Sequence, residues 1–329
     1  MSNKMIYILD LPNFCDSSEL STRLNISEYT LNKITFAPEY HYKEIKKLKA
    51  NGDIRILACP SQNLKAIQAW VLRTILDQLP VHNSCTAFRK GINLRDNANK
   101  HKGSKYFLCL DIKDFFPSIT SKKVYNFFRG IGYGKKASLL LKDICTYKGG
   151  LPQGGVTSPS LSNLLNIKLD RRLAGYAGSK NIIYSRYADD IVLSCKNPEK
   201  LLKAKSFIEY IIKDEGYTLN GNKVRLLRPG MRREITGLVY SEKEEIGIGR
   251  VKKRELRAKI HRMCLLQENT KEYGLLLKHI EGWFSYLLSV DKVAHDQLRK
   301  YFYDKKQKYS QSNIEAAASL LDELDELDF

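Results

Sequence analysis

Residues 181–195 read NIIYSRYADDIVLSC, and two adjacent aspartates, Asp189 and Asp190, separate two apolar runs. Both runs, 181–184 and 191–195, are rich in β-branched residues and predict short buried strands. A tight turn between them would make an antiparallel hairpin that presents both carboxylates at one end of a sheet. Because adjacent carboxylates repel each other, this placement favours a bound cation. An exposed turn that happens to contain aspartate is the simpler alternative.

A third carboxylate follows another apolar run. Residues 105–119 read KYFLCLDIKDFFPSI, in which residues 106–110 predict a buried strand that ends at Asp111, and Pro117 turns the chain away. Three aspartates at one end of a sheet are suited to hold two Mg²⁺ ions for in-line phosphoryl transfer. A turn residue at a strand end is the alternative for Asp111.

The composition is that of a folded protein without a membrane span. The chain has 329 residues and is 43% hydrophobic, which is enough for a large core and two or three subdomains. No apolar run reaches the length of a bilayer and no signal-peptide pattern opens the chain, so we expect a cytoplasmic protein with no membrane partner. The 7 cysteines show no CxxC spacing, so reduced thiols and no structural zinc are expected.

The charge balance indicates a polyanionic partner. Lys and Arg number 55 against 36 Asp and Glu, for a net charge of +19. Nucleic acid is the expected partner, with solubility alone as the alternative. Residues 310–329 contain acids but neither Lys nor Arg, and their leucines recur at steps of three and four. This tail predicts an amphipathic helix that binds an effector protein or the basic surface; a disordered, solvating tail is the alternative.

The remaining patterns alternate between helices and short strands. Helices are expected at 64–79, 137–147, 161–177 and 199–216, and strands around 234–240 and 245–249. The chain shows no internal repeat and no low-complexity linker. This order predicts an α+β protein with an antiparallel sheet.

Three motifs resemble those of reverse transcriptases, in that family's order and spacing. They are the strand-aspartate motif LDIKDFFPS at 110–118, the template-side motif LPQGGVTSPSLSNLL at 151–165 and the catalytic motif YADD at 187–190. Any one of them alone is a weak signal. Together they are highly specific.

Two further motifs narrow the resemblance to bacterial retron reverse transcriptases. That group carries NAxxH before the first aspartate strand and VTG after the palm; here the corresponding residues are NANKH at 97–101 and ITG at 235–237. The exchange of valine for isoleucine keeps an apolar, β-branched residue. The resemblance covers residues from about 25 to 305 and excludes the acidic tail.

The resemblance implies a right-hand polymerase fold of the α+β class, with fingers, a palm built on an antiparallel sheet, and a helical thumb. The implied boundaries are an N-terminal segment at 1–24, fingers at 25–105, the first catalytic strand of the palm at 106–119, fingers and palm helices at 120–150, the palm at 151–248, the thumb at 249–305 and the acidic tail at 306–329.

The resemblance also assigns residues to the chemistry. Asp111, Asp189 and Asp190 would bind two Mg²⁺ ions, and Gln153 with Gly154 would contact the bound nucleotide and the neighbouring template. Three further assignments each have a simpler alternative. Phe116 would exclude ribonucleotides by pressing on C2′ of the sugar, or would only pack in the core. Lys223 would protonate the departing pyrophosphate, or would be a solvated loop lysine. Arg55 would clamp the triphosphate, a role that nearby lysines could also fill.

RNA contacts are expected at both retron motifs and on a basic helix after residue 249. This helix would follow phosphates along a duplex, although a basic helix is often only a solvated face. The assigned residues are Asn97, His101, Thr236, Gly237, Lys252, Lys253, Arg254 and Arg257. A satisfied core histidine is the alternative for His101.

The function implied by the resemblance is RNA-directed DNA polymerisation from dNTPs. Retron enzymes copy part of a cognate noncoding RNA into single-stranded DNA, starting from an internal guanosine 2′-hydroxyl, and so leave a branched RNA–DNA called msDNA. They serve in antiphage defence together with an effector protein. Two alternatives stay open: an RNA-binding scaffold that holds an effector inactive, and an enzyme like those of group II introns that makes linear cDNA.

Overall fold

The computed structural model describes residues 4–48, 52–241 and 245–325, with the backbone alone for Lys4 and for residues 310–325. The helices are α1 (Lys4–Ile8), α2 (Ser17–Leu24), α3 (Glu28–Phe36), α4 (Gln62–Thr74), α5 (Leu94–Lys100), α6 (Phe115–Ser118), α7 (Ser121–Ile131), α8 (Lys135–Cys145), α9 (Ser158–Leu165), α10 (Ile167–Ser179), α11 (Pro198–Asp214), α12 (Gly249–Cys264), α13 (Lys271–Val290) and α14 (Lys292–Asp325). The strands are β1 (Tyr42–Leu48), β2 (Ile54–Pro60), β3 (Tyr106–Asp111), β4 (Ile183–Tyr187), β5 (Asp190–Cys195), β6 (Arg225–Leu227), β7 (Glu234–Ile235), β8 (Leu238–Tyr240) and β9 (Ile246–Gly247).

The chain divides into two units. The first comprises Met1–Ile92 and Ser104–Arg228, and the second comprises Asn93–Gly103 and Pro229–Phe329. The second unit therefore includes α5, which the sequence placed within the fingers, and β7 to β9, which it placed within the palm. The functional boundaries of fingers, palm and thumb stay predictions.

The first unit is built around an antiparallel sheet with the strand order β4-β5-β3-β6. The central strand β3 is buried from Phe107 to Asp111, as its apolar run predicts. Helix α10 packs against β4, and α11 packs against β3 and β5. The predicted hairpin, the predicted strand before Asp111 and the α+β class are all confirmed. The aspartates lie where β3 and the hairpin end.

One predicted helix of the first unit is two helices. The sequence indicated a single helix at 161–177, but α9 ends at Leu165 and α10 begins at Ile167. Between them, the Asn166 side chain donates to the Ser162 carbonyl at 2.8 Å. Asparagine side chains compete with the backbone for such carbonyls, which is why the helix breaks there.

The second unit combines the antiparallel sheet β7-β8-β9 with the long helices α12, α13 and α14. Helix α12 buries Leu256, Ile260 and Met263. The backbone of α14 is helical to Asp325, so the helix predicted for the tail is present as the last turns of α14. The apolar face predicted for this tail falls on side chains outside the described ones. Within 4–48, 52–241 and 245–325, no helix is long and apolar enough to cross a membrane.

Candidate active site

Asp111 and Asp190 are cross-strand partners at one end of the sheet in the first unit. Tyr187 pairs with Asp190 to close the hairpin between β4 and β5, so Ala188 and Asp189 form its two-residue turn. The Ile112 amide donates to the Asp189 carbonyl at 3.0 Å, which ties the turn to the end of β3. The structure thus brings together the three aspartates that the sequence assigned to metal binding.

The environment of these carboxylates favours a positive charge. The pKa of Asp190 is raised to about 6, first by desolvation and then by the charges of Asp189 and Asp111. Although Asp190 keeps an exposed face, surrounding protein atoms displace much of its water. Desolvation also raises the pKa of Asp189, and Asp111 adds to that effect. A cation among the three groups would relieve this repulsion and keep them ionised.

Lys223 supplies one such charge, because its ammonium donates to Oδ1 of Asp111. This hydrogen bond raises the pKa of Lys223, so the side chain stays protonated. The turn that carries Lys223 is held in place by the Asn220 amide, which donates to the Asp111 carbonyl at 2.8 Å. Asp111, Asp190 and Lys223 all line one open cavity of about 450 Å³.

The donor set suits Mg²⁺, which prefers oxygen ligands and usually takes only one or two carboxylates in addition to phosphate oxygens and water. Over the described ranges of the chain, no three acidic, histidine or cysteine side chains already stand in a metal-ligand arrangement. The Lys223 ammonium contacts a carboxylate oxygen that an ion at Asp111 would use. The Lys223 ammonium thus places a positive charge beside Asp111, where the sequence predicts a metal ion.

Phe116 belongs to an aromatic cluster beside the hairpin. Its half-buried ring lies 6.2 Å from the Phe88 ring and 5.5 Å from the Phe115 ring, measured between centroids. Phe88 in turn lies 6.4 Å from Tyr187. Phe88 is 47% exposed and has a φ of 56°, which is rare for an aromatic residue. No periodicity or charge in the sequence marks Phe88 as a residue of this site. The role of Phe116 as a gate stays a prediction.

Gln153 and Gly154 pack directly on β2. The Ala58 amide donates to the Gln153 carbonyl at 2.8 Å. Gly154 has a φ of +124°, and a Cβ there would lie 2.7 Å from the Ala58 carbonyl oxygen, so only glycine fits. Arg55 lies on the same strand, and its charge opposes the desolvation that raises the pKa of Asp189. Strand β2 thus joins three of the predicted nucleotide residues, Arg55, Gln153 and Gly154, and Arg55 is near enough to Asp189 to lower its pKa.

Gln68 is a second residue of this region that no motif in the sequence marks. It is fully buried on α4, where its Nε2 donates to the Ile144 carbonyl at 2.8 Å and to the Tyr42 hydroxyl at 2.7 Å. Its Oε1 accepts from the Val156 amide at 3.0 Å. One side chain therefore ties β1 and α8 to the loop that carries Gln153. The signal available in the sequence was a glutamine at helical spacing between Leu64 and Val71, on an otherwise apolar stripe.

Asn97 and His101 lie inside the second unit, and both are fully buried. Burial lowers the pKa of His101 to about 3, so its imidazole is neutral. The Tyr240 hydroxyl donates to the Ala98 carbonyl at 2.5 Å, which packs α5 against β8. Direct contact with RNA, expected for both residues, does not fit these positions, because neither side chain reaches the surface.

Thr236 and Gly237 form the two-residue turn between β7 and β8. Both have positive φ values, 48° and 83°, and a β-branched residue in this conformation is strained. Within the described chain, the buried Thr236 hydroxyl has no hydrogen-bond partner. Their assignment to RNA stays a prediction.

Helix α12 presents the predicted basic side chains. Lys253, Arg254 and Arg257 line an open cavity of about 200 Å³ together with Arg250. Lys252 instead pairs with Glu255 and lies 5.0 Å from the centre of the Trp283 ring. Their contact with phosphates stays a prediction that this cluster of positive charge favours.

The chain is similar to known reverse transcriptases along most of its length. Residues 45–258 match the family described as reverse transcriptase (RNA-dependent DNA polymerase). The chain is 39% identical to the retron Ec86 reverse transcriptase of Escherichia coli over 311 residues, which cover 94% of this chain and 95% of the relative. It is 28% identical to the retron Mx65 reverse transcriptase of Myxococcus xanthus, over 79% of this chain and 64% of that relative.

A solved structure of apo telomerase from Candida tropicalis is also similar, with a TM-score of 0.47 and 12% identity over 89% of this chain and 62% of that one. The family match at 45–258 contains the three aspartates, the sheet that carries them, strand β2 and the part of β1 that follows residue 44. Helices and antiparallel sheets combine here in the right-hand polymerase fold. Because the retron similarity extends over nearly the whole chain and includes this site, the chain belongs to the retron reverse transcriptases and is an RNA-directed DNA polymerase.

Proposed function

We propose that the chain extends DNA by two-metal phosphoryl transfer, with Asp111, Asp189 and Asp190 as the ligands of two Mg²⁺ ions. The observation that carries this proposal is the pairing of Asp111 with Asp190 next to the turn that holds Asp189. When bound, the ions would lower the pKa of the attacking hydroxyl and neutralise the leaving pyrophosphate. The carboxylates would hold the ions at this end of the sheet.

Five further residues complete the proposed site. Lys223, which lines the same cavity as Asp111 and Asp190, gives a proton to the departing pyrophosphate. Arg55 contacts the triphosphate with its planar guanidinium, next to the backbone at Gln153 and Gly154. Phe116 occupies the space beside C2′ of the incoming sugar and so selects dNTPs.

Counting bound ions tests the metal proposal. Mn²⁺, which gives a paramagnetic signal, can be titrated into the enzyme bound to primer, template and a nonhydrolysable dNTP. We expect two ions for the parent and fewer for Asp111→Asn. Asp114→Asn is the matched control, because Asp114 is an exposed acid at the start of α6 and should leave the count unchanged. One ion in the parent would reject the two-metal assignment.

We also propose that the template is a structured noncoding RNA encoded beside the enzyme, and that synthesis begins from an internal guanosine 2′-hydroxyl to give branched msDNA. The support is the 39% identity to a retron reverse transcriptase over 94% of the chain, together with the basic cluster on α12. An effector protein of an antiphage defence system completes the proposed assembly.

The nucleic acid and proteins that copurify with the enzyme test this second proposal. Sequencing should find one RNA species joined to single-stranded DNA, with a branch that a debranching enzyme removes, and mass spectrometry should find one further protein. Linear cDNA without a branch would contradict the priming chemistry. Copurified RNA without any DNA would instead favour an RNA-binding scaffold.

A further inference from the structure

An ion pair lies completely buried next to the catalytic hairpin. Arg186, on β4, and Asp170, in the first turn of α10, both have fully buried side chains. The guanidinium donates twice to the carboxylate, from Nε to Oδ1 at 2.8 Å and from Nη2 to Oδ2 at 2.7 Å. The Tyr184 hydroxyl also donates to Oδ1, at 2.7 Å. The carboxylate is thus satisfied by three charged or polar donors.

A gain in folding stability does not by itself explain why the core contains this ion pair. Removing two charges from water carries a large desolvation cost, and well-packed apolar residues of similar size often serve a core equally well. A planar guanidinium bound on two sides is, however, a rigid object. Its third nitrogen, Nη1, can therefore hold a third group in a defined place.

That third group is the turn of the catalytic hairpin. Nη1 of Arg186 donates to the Ala188 carbonyl at 3.1 Å. Ala188 has a φ of 56°, an unfavourable conformation for a residue other than glycine, so the surrounding structure must hold it there. On the other side of Asp189, the Ile112 amide donates to the Asp189 carbonyl at 3.0 Å. The two peptide units that flank Asp189 are thus both anchored.

We infer that Arg186, oriented by Asp170, is a positioning residue that fixes the Ala188 peptide and thereby aims Asp189 towards Asp111 and Asp190. This inference rests on the proposed catalytic role of Asp189. The buried pair restricts the hairpin to one turn conformation. The turn therefore does not have to reorganise before each nucleotide is added.

Two variants separate positioning from folding. The double variant Arg186→Met with Asp170→Leu removes both charges without leaving one unpaired. Arg186→Lys keeps a charge beside Asp170 but lacks the planar fork that reaches Asp170 and the Ala188 carbonyl together. Tyr184→Phe is the control, since it removes one hydrogen bond to Asp170 and leaves the contacts of Arg186 in place. Each is measured for thermal unfolding, for kcat and KM of dNTP incorporation, and for hydrogen exchange of residues 186–191.

Both Arg186 variants should fold and lose roughly 10- to 100-fold in kcat, with KM for dNTP within about threefold of the parent. Exchange of the hairpin amides should accelerate in both variants but not in Tyr184→Phe. Parent values of kcat and hairpin exchange in either folded variant would overturn the inference. Failure of both variants to fold would also overturn it, because the pair would then serve folding.

Adding Asp189→Asn to this series distinguishes the inference from the proposed function. Activity retained by Asp189→Asn would refute the catalytic assignment, while hairpin exchange would still report whether Arg186 holds the turn. An inactive Asp189→Asn with unchanged exchange and kcat in the Arg186 variants would refute positioning alone.

Discussion

Asp111 on β3 and Asp190 on β5 face each other directly across the antiparallel sheet. Like charges in opposed positions destabilise a sheet. The pKa of Asp190, raised to about 6 by desolvation first and by the two neighbouring carboxylates next, reflects that repulsion. This sheet end is therefore less stable when its acids are ionised, and a bound cation reverses the penalty.

Asp190→Asn should make the metal-free protein more stable at pH 8. The folded pKa of Asp190, about 6, lies above its ordinary value of 3.8, so its ionisation opposes folding above pH 6 and has no effect below 3.8. We expect a gain in Tm of roughly 1–3 °C at pH 8 and none at pH 3.5, measured by scanning calorimetry. An equal gain at both pH values would point to a cause other than charge.

Lys223→Met should lower kcat by about 100-fold if Lys223 is the acid that protonates pyrophosphate. The alkaline limb of the pH profile of kcat should disappear, because the titrating ammonium is gone. Lys113→Met is the control, since Lys113 is an exposed lysine near the same end of β3. A variant that keeps the alkaline limb would show that Lys223 only neutralises Asp111.

Phe116→Val should admit ribonucleotides by emptying the space beside C2′. We expect the preference for dNTP over rNTP, measured as a ratio of kcat/KM values, to fall by at least about tenfold. Phe127→Val removes a similarly half-buried ring that packs on Phe128 in α7, and it should leave the ratio unchanged. An unaltered ratio in Phe116→Val would make Phe116 a packing residue.

Gly154→Ala should raise KM for dNTPs by about tenfold, with a smaller effect on RNA affinity. The new Cβ would meet the Ala58 carbonyl oxygen at 2.7 Å, so the loop must move away from β2 and Arg55. Gly178→Ala, within α10 and open to space, is a control that should be neutral or stabilising. An unchanged KM would separate this loop from nucleotide binding.

The sequence predicts the hairpin and the strand before Asp111 because β-branched runs and turn residues are local signals. It does not predict which polar residues the fold buries. His101 and Asn97 carry a motif but lie in the interior, whereas Gln68 and Arg186 carry no motif and anchor the site. Such contacts join residues far apart in the chain, so only the folded structure shows them.

Boundaries and conformations were less predictable than element types. The break at Asn166 depends on one side-chain hydrogen bond inside an otherwise helical pattern. The positive φ of Phe88 and Ala188 depends on surroundings that hold strained turns, since neither residue type favours that conformation.

RNA-templated extension by Asp189→Asn, with RNA affinity measured on the same preparation, tests the central claim most directly. The substitution removes one ligand charge but leaves the basic face of α12 unchanged. We predict that DNA synthesis falls by at least about 1000-fold, that the Kd for RNA stays within about twofold, and that Asp114→Asn keeps parent activity. DNA synthesis by Asp189→Asn at a rate comparable to the parent would contradict the assignment of this hairpin as the catalytic centre.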